Sequence, residues 1–350
     1  MKYFIFIAFL TAVPFSSQGA DVAYVSVAGE KRIVVYDFDA KSGALSRRSE
    51  NKTNGEPGAL AVDPSKRFLF ASLRSTGHLT SYSIDQATGE LMPISEVPAG
   101  ADPAFVATDR SGKYLLCAYY RAGKVTVHRI GSDGSLSLEP LQSIETDEKA
   151  HAILTDRSNQ FAYVPHTGPN AIFQFRFDDA TGRLEPLWPD RVRRPRNTGP
   201  RHLAFHPSQE WVYSDNEQES SVTVYELQEQ GTLSAFQSVS TLPEDFEGQN
   251  SNARLEITAD GKFVYASNRG HDSIAGFSVD AKTGKLTSIG QFPTETTPRA
   301  FSIHPSGKYL LAAGQGSGKL AMFRIDQGTG RLTRIGTYPV GARPWWVLVL

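Results

Sequence analysis

One phrase returns seven times along the chain: an apolar β-rich run, an acidic or polar turn, then a glycine and a leucine. The phrases read YDFDAKSGAL, YSIDQATGEL, HRIGSDGSL, FRFDDATGRL, YELQEQGTL, FSVDAKTGKL and FRIDQGTGRL. Their glycines are Gly43, Gly89, Gly134, Gly182, Gly231, Gly284 and Gly330, separated by 46, 45, 48, 49, 53 and 46 residues. A repeat of about 40–50 residues built from short strands is typical of one β-propeller blade.

A second hairpin lies in each period. Segments such as PRHLAFHPSQEWVYSDNE and PRAFSIHPSGKYLLAAGQ consist of a β-rich run, a polar turn and another β-rich run. Each period therefore predicts four antiparallel strands, A to D, with the glycine turn between C and D.

The two ends of the chain complete the last blade. PWWVLVL, residues 344–350, reads as a seventh strand A, and its missing B, C and D match DVAYVSV, RIVVYDF and LSRRSEN near the start. Pairing the ends closes the ring and removes exposed sheet edges. The sequence thus predicts an all-β protein, a seven-bladed β-propeller of four-stranded antiparallel blades closed by its N- and C-terminal strands.

The first twenty residues have the layout of a secretory signal peptide. Lys2 precedes an apolar run of roughly a dozen residues, and small residues follow at Gly19 and Ala20. The run is shorter than the roughly 20 residues of a membrane span. We expect residues 1–20 to be a signal peptide and residues 21–350 to form one propeller domain, exported to a periplasm or outside the cell and free of the membrane after cleavage. A buried N-terminal helix is the alternative.

Composition narrows the classes of partner. Lys and Arg number 36 and Asp and Glu 37, so the chain lacks the basic excess typical of nucleic-acid binding. Cys117 is the single cysteine, which leaves no intrachain disulfide and no cysteine-based zinc site. Its apolar surroundings predict a small buried side chain. The sequence contains no nucleophile elbow, P-loop or dinucleotide-binding loop, and GQGSGK at 314–319 reads as a turn between strands B and C.

Candidate functional residues collect at one rim of the predicted disk. Strands A and B are antiparallel neighbours, so the start of A and the end of B lie at the same rim. Reading this rim in every blade gives Pro57, Arg74, Tyr119, Tyr120, His151, His166, Arg201, Glu217, Arg254, Arg269, Arg299, Gln315 and Trp345. His202 follows Arg201 in the same strand start. His206 and His304 lie in A-to-B turns at the opposite rim, where we expect them to cap turns.

Four longer phrases follow one another in blade order: GPRHLAFHP, SDNEQESSVTVYEL, ITADGKFVYASNRGHDSIAGFSVD and TTPRAFSIHPSGKYLLAAGQGSGKLAMFRID. They resemble the lactonase family of seven-bladed propellers, which includes bacterial 6-phosphogluconolactonases and fungal 3-carboxy-cis,cis-muconate lactonizing enzymes. The resemblance runs over essentially all of residues 21–350. It implies an active site of one His, two Arg and one Glu, and these match His151 in KAHAILTD, Arg201, Glu217 and Arg269.

Other rim positions agree with the family less uniformly. Arg299 and Gln315 match recurrent rim positions. Arg254 stands where relatives often carry an acidic residue, and His166 where many carry Asp. Both departures make the rim more basic or more titratable, and they leave the exact substrate and the activity open.

Charge repulsion indicates the kind of ligand. Guanidinium groups that converge at one mouth repel each other unless a carboxylate or an anionic ligand offsets them. We therefore expect an anionic substrate, with Arg299, Gln315, Arg254 and His202 as substrate-binding residues.

The four matched residues divide into chemical roles. Glu217, flanked by Arg201 and Arg269, should have a depressed pKa and remain ionised. His151, whose ordinary pKa lies near neutrality, is then the group that moves the proton, together with Glu217. The arginines would stabilise the developing oxyanion. This chemistry requires neither a metal nor a cofactor.

The sequence thus predicts metal-independent hydrolysis of a sugar lactone, like that of a 6-phosphogluconolactonase. Phosphogluconolactone belongs to the cytoplasm, so an exported relative would act on a non-phosphorylated or oxidised sugar lactone. A cycloisomerase using the same four groups is one alternative, and a non-catalytic binding module is another. Structural ion pairs between rim arginines and blade-edge carboxylates remain the simplest alternative for individual arginines.

Overall fold

The computed structural model describes residues 21–350, and the signal peptide predicted for residues 1–20 lies outside them. The described chain contains 28 strands and a three-residue 3-10 helix, Ala28–Glu30. In chain order the strands are β1 Val22–Val27, β2 Arg32–Asp39, β3 Ala44–Lys52, β4 Pro57–Val62, β5 Phe68–Leu73, β6 His78–Ile84, β7 Leu91–Pro98, β8 Pro103–Thr108, β9 Tyr114–Tyr119, β10 Lys124–Arg129, β11 Gln142–Glu145, β12 Leu154–Thr155, β13 Phe161–His166, β14 Ala171–Asp178, β15 Arg183–Arg193, β16 Pro200–Phe205, β17 Trp211–Asn216, β18 Ser221–Leu227, β19 Leu233–Ser240, β20 Ser251–Ile257, β21 Phe263–Arg269, β22 Ser273–Val279, β23 Leu286–Pro293, β24 Pro298–Ile303, β25 Tyr309–Gly314, β26 Lys319–Ile325, β27 Leu332–Pro339 and β28 Pro344–Val349. Within residues 21–350, no helix has the length and apolar character needed to cross a membrane.

The strands form seven four-stranded antiparallel sheets. Blades 1 to 6 are β4–β7, β8–β11, β12–β15, β16–β19, β20–β23 and β24–β27, each in sequence order, and blade 7 has the order β28-β1-β2-β3. In blade 7, Val349 lies opposite Ala23 and Val347 opposite Val25. The predicted seven-bladed fold and its closure by the two terminal regions are both confirmed.

Within each blade the inner strands are more buried than the outermost strand. β5 is buried at every position, whereas in β3, at an outer edge, Leu45 is the one buried residue and the others are exposed or half-buried. The inner strands are apolar on both faces because neighbouring blades cover both of them. Cys117 is fully buried in β9, as predicted, and burial raises the pKa of its thiol to about 12.

The repeated glycines have a packing role as well as a turn role. All seven have φ between +69° and +87°, a left-handed conformation that favours glycine. A Cβ on Gly284 would lie 2.3 Å from the Trp211 ring of the preceding blade, and one on Gly330 would lie 2.4 Å from Phe263. The turn therefore docks closely against the neighbouring blade, which explains why the phrase repeats once per blade.

Blade 3 departs from the predicted strand pattern. Its innermost strand, β12, covers two residues, so His151 precedes the strand instead of beginning it. The His151 N–H still donates to the Pro165 carbonyl at 3.0 Å. Pro165 has no N–H to return that bond, so the ladder between β12 and β13 is interrupted here.

Candidate active site

β-Bulges shape the rim at which the innermost strands begin. The ladder register shifts near the start of β4, β8, β16, β20 and β24, and the β28–β1 ladder shifts at the corresponding end. In β16 the shift falls between Pro200 and His202, leaving Arg201 as the extra residue. A bulge re-aims the side chains around it. Consecutive residues such as Arg201 and His202 can thus both contribute to the axial opening.

Glu217 joins two arginines at this rim. Its Oε1 accepts a hydrogen bond from Arg269 Nη2 at 2.8 Å, and its Oε2 lies 3.2 Å from Arg201 Nε. The Arg201 N–H does not point at Oε2, so neither of those two atoms has a hydrogen-bond partner. Burial opposes ionisation of Glu217, but the charges of Arg201 and Arg269 outweigh it and lower its pKa. The predicted ionised carboxylate is consistent with this geometry.

His151 packs against two aromatic rings at this rim. Its ring meets His202 edge-on at a centroid distance of 5.0 Å and Tyr120 at 5.6 Å. Burial, and then the positive charge of Arg201, hold the pKa of His151 well below its ordinary value. Its Nδ1 is buried without a hydrogen-bond partner. His151 is therefore a neutral imidazole, the protonation state that accepts a proton.

His202 links these groups to a buried carboxyl group. Arg201 Nη1 donates to His202 Nδ1 at 2.9 Å, which places the proton of the neutral ring on Nε2. The backbone N–H of His202 donates to Asp215 Oδ1 at 2.7 Å, while Asp215 Oδ2 has no hydrogen-bond partner. Burial raises the pKa of Asp215 to about 6. The sequence reading missed Asp215.

A second layer closes the opening one residue further along the innermost strands. The His202 ring lies 5.6 Å from Phe105 and 5.9 Å from Trp346, and the Arg254 guanidinium lies 4.5 Å from the Trp346 ring. Arg254 Nη2 donates to Glu256 at 2.8 Å. The structure therefore places Arg254 beside Trp346 and His202 in the floor of the mouth, where it pairs with the Glu256 carboxylate.

Arg299 and Gln315 lie in blade 6 at the mouth. The Arg299 guanidinium stacks on the Trp345 ring at 3.8 Å, and within residues 21–350 no carboxylate lies within ion-pair distance of it. Gln315 follows β25, and its N–H donates to the Thr297 carbonyl. Glu217 makes the same backbone bond to Gly199, so the two side chains hold equivalent places at the rim.

The comparisons with known proteins agree with this architecture. A family model described as "Lactonase, 7-bladed beta-propeller" matches residues 20–349.

The chain belongs to this lactonase family.

Individual relatives of this lactonase support the assignment. A 6-phosphogluconolactonase of Erwinia tasmaniensis is 34% identical over 280 residues, covering 80% of this chain and 70% of the relative. That of Cronobacter sakazakii is 36% identical over 281 residues with the same coverage. The solved periplasmic gluconolactonase of Pseudomonas aeruginosa superposes with a TM-score of 0.87 at 27% identity, covering 94% of this chain and 99% of that one.

Three other histidines of the lactonase lie away from the mouth chemistry. His166 is buried inside blade 3, with Nδ1 2.9 Å from the Val164 carbonyl and Nε2 2.9 Å from Thr146 Oγ1. His206 and His304 cap turns at the opposite rim: each Nδ1 accepts backbone N–H groups from the residues that follow. The predicted turn caps of His206 and His304 are confirmed, and both ring nitrogens of His166 lie within hydrogen-bond distance of partners outside the axial cluster.

Proposed function

We propose that this lactonase hydrolyses a sugar lactone at the arginine-lined mouth, without a metal ion, as a carboxylic ester hydrolase. Relatives named 6-phosphogluconolactonase and gluconolactonase support the reaction class. The observation that carries the proposal is a neutral, buried His151 whose ring meets that of His202, which in turn accepts a hydrogen bond from Arg201 of the Arg201–Glu217–Arg269 cluster. A neutral imidazole can act as the general base that activates water, and guanidinium groups that carboxylates do not fully neutralise can stabilise the oxyanion.

In the proposed reaction, His151 removes a proton from water as the water oxygen adds to the lactone carbonyl carbon. The carbonyl oxygen becomes an oxyanion, stabilised by the guanidinium groups of Arg201 and Arg299. The ring C–O bond then breaks, and the His151 imidazolium returns its proton to the leaving alkoxide. Water and lactone give the open-chain sugar acid, which releases its carboxyl proton to solvent, and the protein returns to its starting state.

The charges around His151 fit this sequence. Arg201 and Arg299 depress the pKa of His151 after burial has lowered it. Negative charge that develops on the lactone oxygen offsets those guanidinium charges, so His151 becomes a stronger base as the reaction proceeds. Glu217 remains ionised and holds Arg201 and Arg269 in place.

The arginines would also hold an anionic substrate. Among residues 21–350, Glu217 is the single carboxylate in contact with Arg201 and Arg269, and Arg299 has an aromatic partner instead of an acidic one. Such a mouth retains positive charge that an anionic group of the substrate can neutralise.

The test follows acid release from δ-gluconolactone and its 6-phosphate by wild type and His151→Ala. We expect the variant to lose roughly 10²–10⁴-fold in kcat, the usual contribution of a general base. Arg157→Gln, which removes one partner of an ion pair at the opposite rim, is the control. Equal rates for wild type and His151→Ala would refute the proposal. Binding of sugar acids without turnover would then indicate a binding module, and net ring closure of an unsaturated acid would indicate a cycloisomerase.

We also infer that the chain is exported. The predicted signal peptide and the periplasmic neighbour from Pseudomonas aeruginosa support this location. N-terminal sequencing of the protein from the native cell envelope should give a start close to Asp21, whereas a start at Met1 would contradict export.

A further inference from the structure

One position of the mouth varies in size from blade to blade. The second residue of the innermost strand region is His151, Arg201 and Arg299 in blades 3, 4 and 6. In blade 1 the corresponding residue is Gly58. A Cβ on Gly58 would lie 2.7 Å from Ser72 Oγ and 3.1 Å from Arg74 Cγ, so the glycine leaves room for the Arg74 side chain.

A side chamber lies beside blade 1, where Gly58 takes the place of a large residue. Its volume is about 360 Å³, within the range of small-molecule pockets. It is lined by Ala28, Glu56, Pro57, Arg74, Ser75, Asp102, Arg121, Arg343 and Trp345. Trp345 is a wall shared with the mouth, since Arg299 stacks on its ring at 3.8 Å and Arg74 lies 5.1 Å from the same ring. A ligand in the mouth can therefore extend past Trp345 into the chamber.

The charges of the chamber are not balanced. Arg74 Nη2 lies 3.0 Å and Arg121 Nε 3.7 Å from the same oxygen, Asp102 Oδ2. Arg343 pairs with Glu56 at 2.6 Å. Three guanidinium groups thus face two carboxylates, before Arg299 at the shared wall is added.

Arg74 has the most buried side chain of the three arginines with ion pairs in the chamber. Its side chain is mostly buried, and its Nε has no hydrogen-bond partner. A buried unpaired N–H on a charged group is costly, and an oxyanion of a ligand would satisfy both the donor and the charge.

We propose that the side chamber binds an anionic group at the end of the lactone remote from its carbonyl, held by Arg74 and Arg343 beside the Trp345 ring. The proposal rests on the proposed lactone hydrolysis at the mouth and names residues outside its catalytic cluster. The shared chemistry is an oxyanion, either the phosphate of a sugar phosphate or the terminal carboxylate of an oxidised sugar. In this arrangement the lactone carbonyl faces His151 and Arg201 while the distal anion lies in blades 7 and 1.

Kinetics on three lactones test the chamber: neutral δ-gluconolactone, its 6-phosphate, and a glucaric acid lactone that carries a distal carboxylate. Wild type should prefer at least one anionic lactone by about tenfold or more in kcat/KM. Arg74→Gln should reduce that preference by roughly 10- to 100-fold, mainly through KM, because a charge-assisted hydrogen bond is lost. The larger preference identifies phosphate or carboxylate as the natural group. Arg157→Gln at the opposite rim should retain the wild-type preference.

A second variant and a binding measurement keep the two proposals separate. Arg343→Gln removes a half-exposed partner, so it tests the chamber if Arg74→Gln fails to fold. Calorimetric titration with 6-phosphogluconate, glucarate and gluconate reports binding independently of turnover. Hydrolysis without preference for an anionic lactone would overturn the chamber proposal and leave the proposed function intact. Binding of anionic sugar acids that Arg74→Gln weakens, without hydrolysis by wild type, would support the chamber and refute the proposed function.

Discussion

Replacing Glu217 by Gln tests whether this carboxylate balances the charge of the mouth. The amide keeps the size of the side chain but removes the negative charge that contacts Arg269 at 2.8 Å and Arg201 at 3.2 Å. Removing one partner of a buried ion pair costs about 3–5 kcal/mol because the other charge remains buried. Arg201 is 2% exposed and Glu217 21% exposed, which favours the lower end, about 3 kcal/mol. At roughly 2 °C per kcal/mol for a domain of this size, Tm should fall by about 6 °C.

Calorimetry with and without sulfate measures the effect. The variant leaves the guanidinium groups of Arg201 and Arg269 without their carboxylate, so sulfate should bind it more tightly than wild type. At 100 times its Kd the anion would restore about 2.7 kcal/mol, most of the loss. Glu210→Gln is the control, since it breaks an ion pair whose carboxylate is 61% exposed and should cost about 1 kcal/mol or less. Equal losses in the two variants, or no added response to sulfate, would refute the charge-balance argument.

Three further predictions follow from buried groups and from ring closure. Because the folded-state pKa of Asp215 is raised to about 6, this carboxyl group binds its proton more tightly in the folded chain than in the unfolded chain, so its contribution to wild-type stability falls as pH rises from about 4 to 6. Asp215→Asn should therefore gain stability relative to wild type from pH 4 to pH 7 in urea unfolding, and a constant difference would contradict the assignment. Cys117 should react with a thiol reagent only at the rate of unfolding, and rapid labelling of the native protein would show that β9 is open. Deleting residues 344–350 should abolish cooperative thermal unfolding, since blade 7 loses its innermost strand; a retained sharp transition would show that closure is dispensable.

The fold could be predicted because its determinants are local and repeated. Each glycine such as Gly284 carries two constraints at once, a left-handed turn and close contact with the preceding blade, so the phrase recurs in every repeat. The closure could also be predicted, since an incomplete blade at one end required three strands from the other. The short length of β12 was not predicted, because it depends on Pro165 in the paired strand β13, which has no N–H.

The sequence predicted which side chains gather at the opening better than it predicted how deep in the opening each one lies. His151, Arg201, Glu217 and Arg269 do gather around one opening, by way of His202. Arg254 was assigned to the rim because reading from the strand start ignores the bulge; counted back from the A-to-B turn it is equivalent to His202, in the floor.

Asp215 and the side chamber lay beyond the sequence reading. Asp215 lies inside β17, before the strand end where functional residues were sought, and its burial follows from blade packing. The chamber results from small residues such as Gly58 and Ala28, whose contribution is the space they leave.

The pairing of β28 with β1 has a consequence for how the molecule is made. Six blades contain strands from one stretch of chain, but the seventh joins residues more than 300 positions apart. Blade 7 can therefore be completed only after β28 has left the ribosome, and until then β1 presents an unpaired sheet edge. We therefore expect the β1–β28 ladder to form last, and we expect a partly folded chain to aggregate through the unpaired edge of β1.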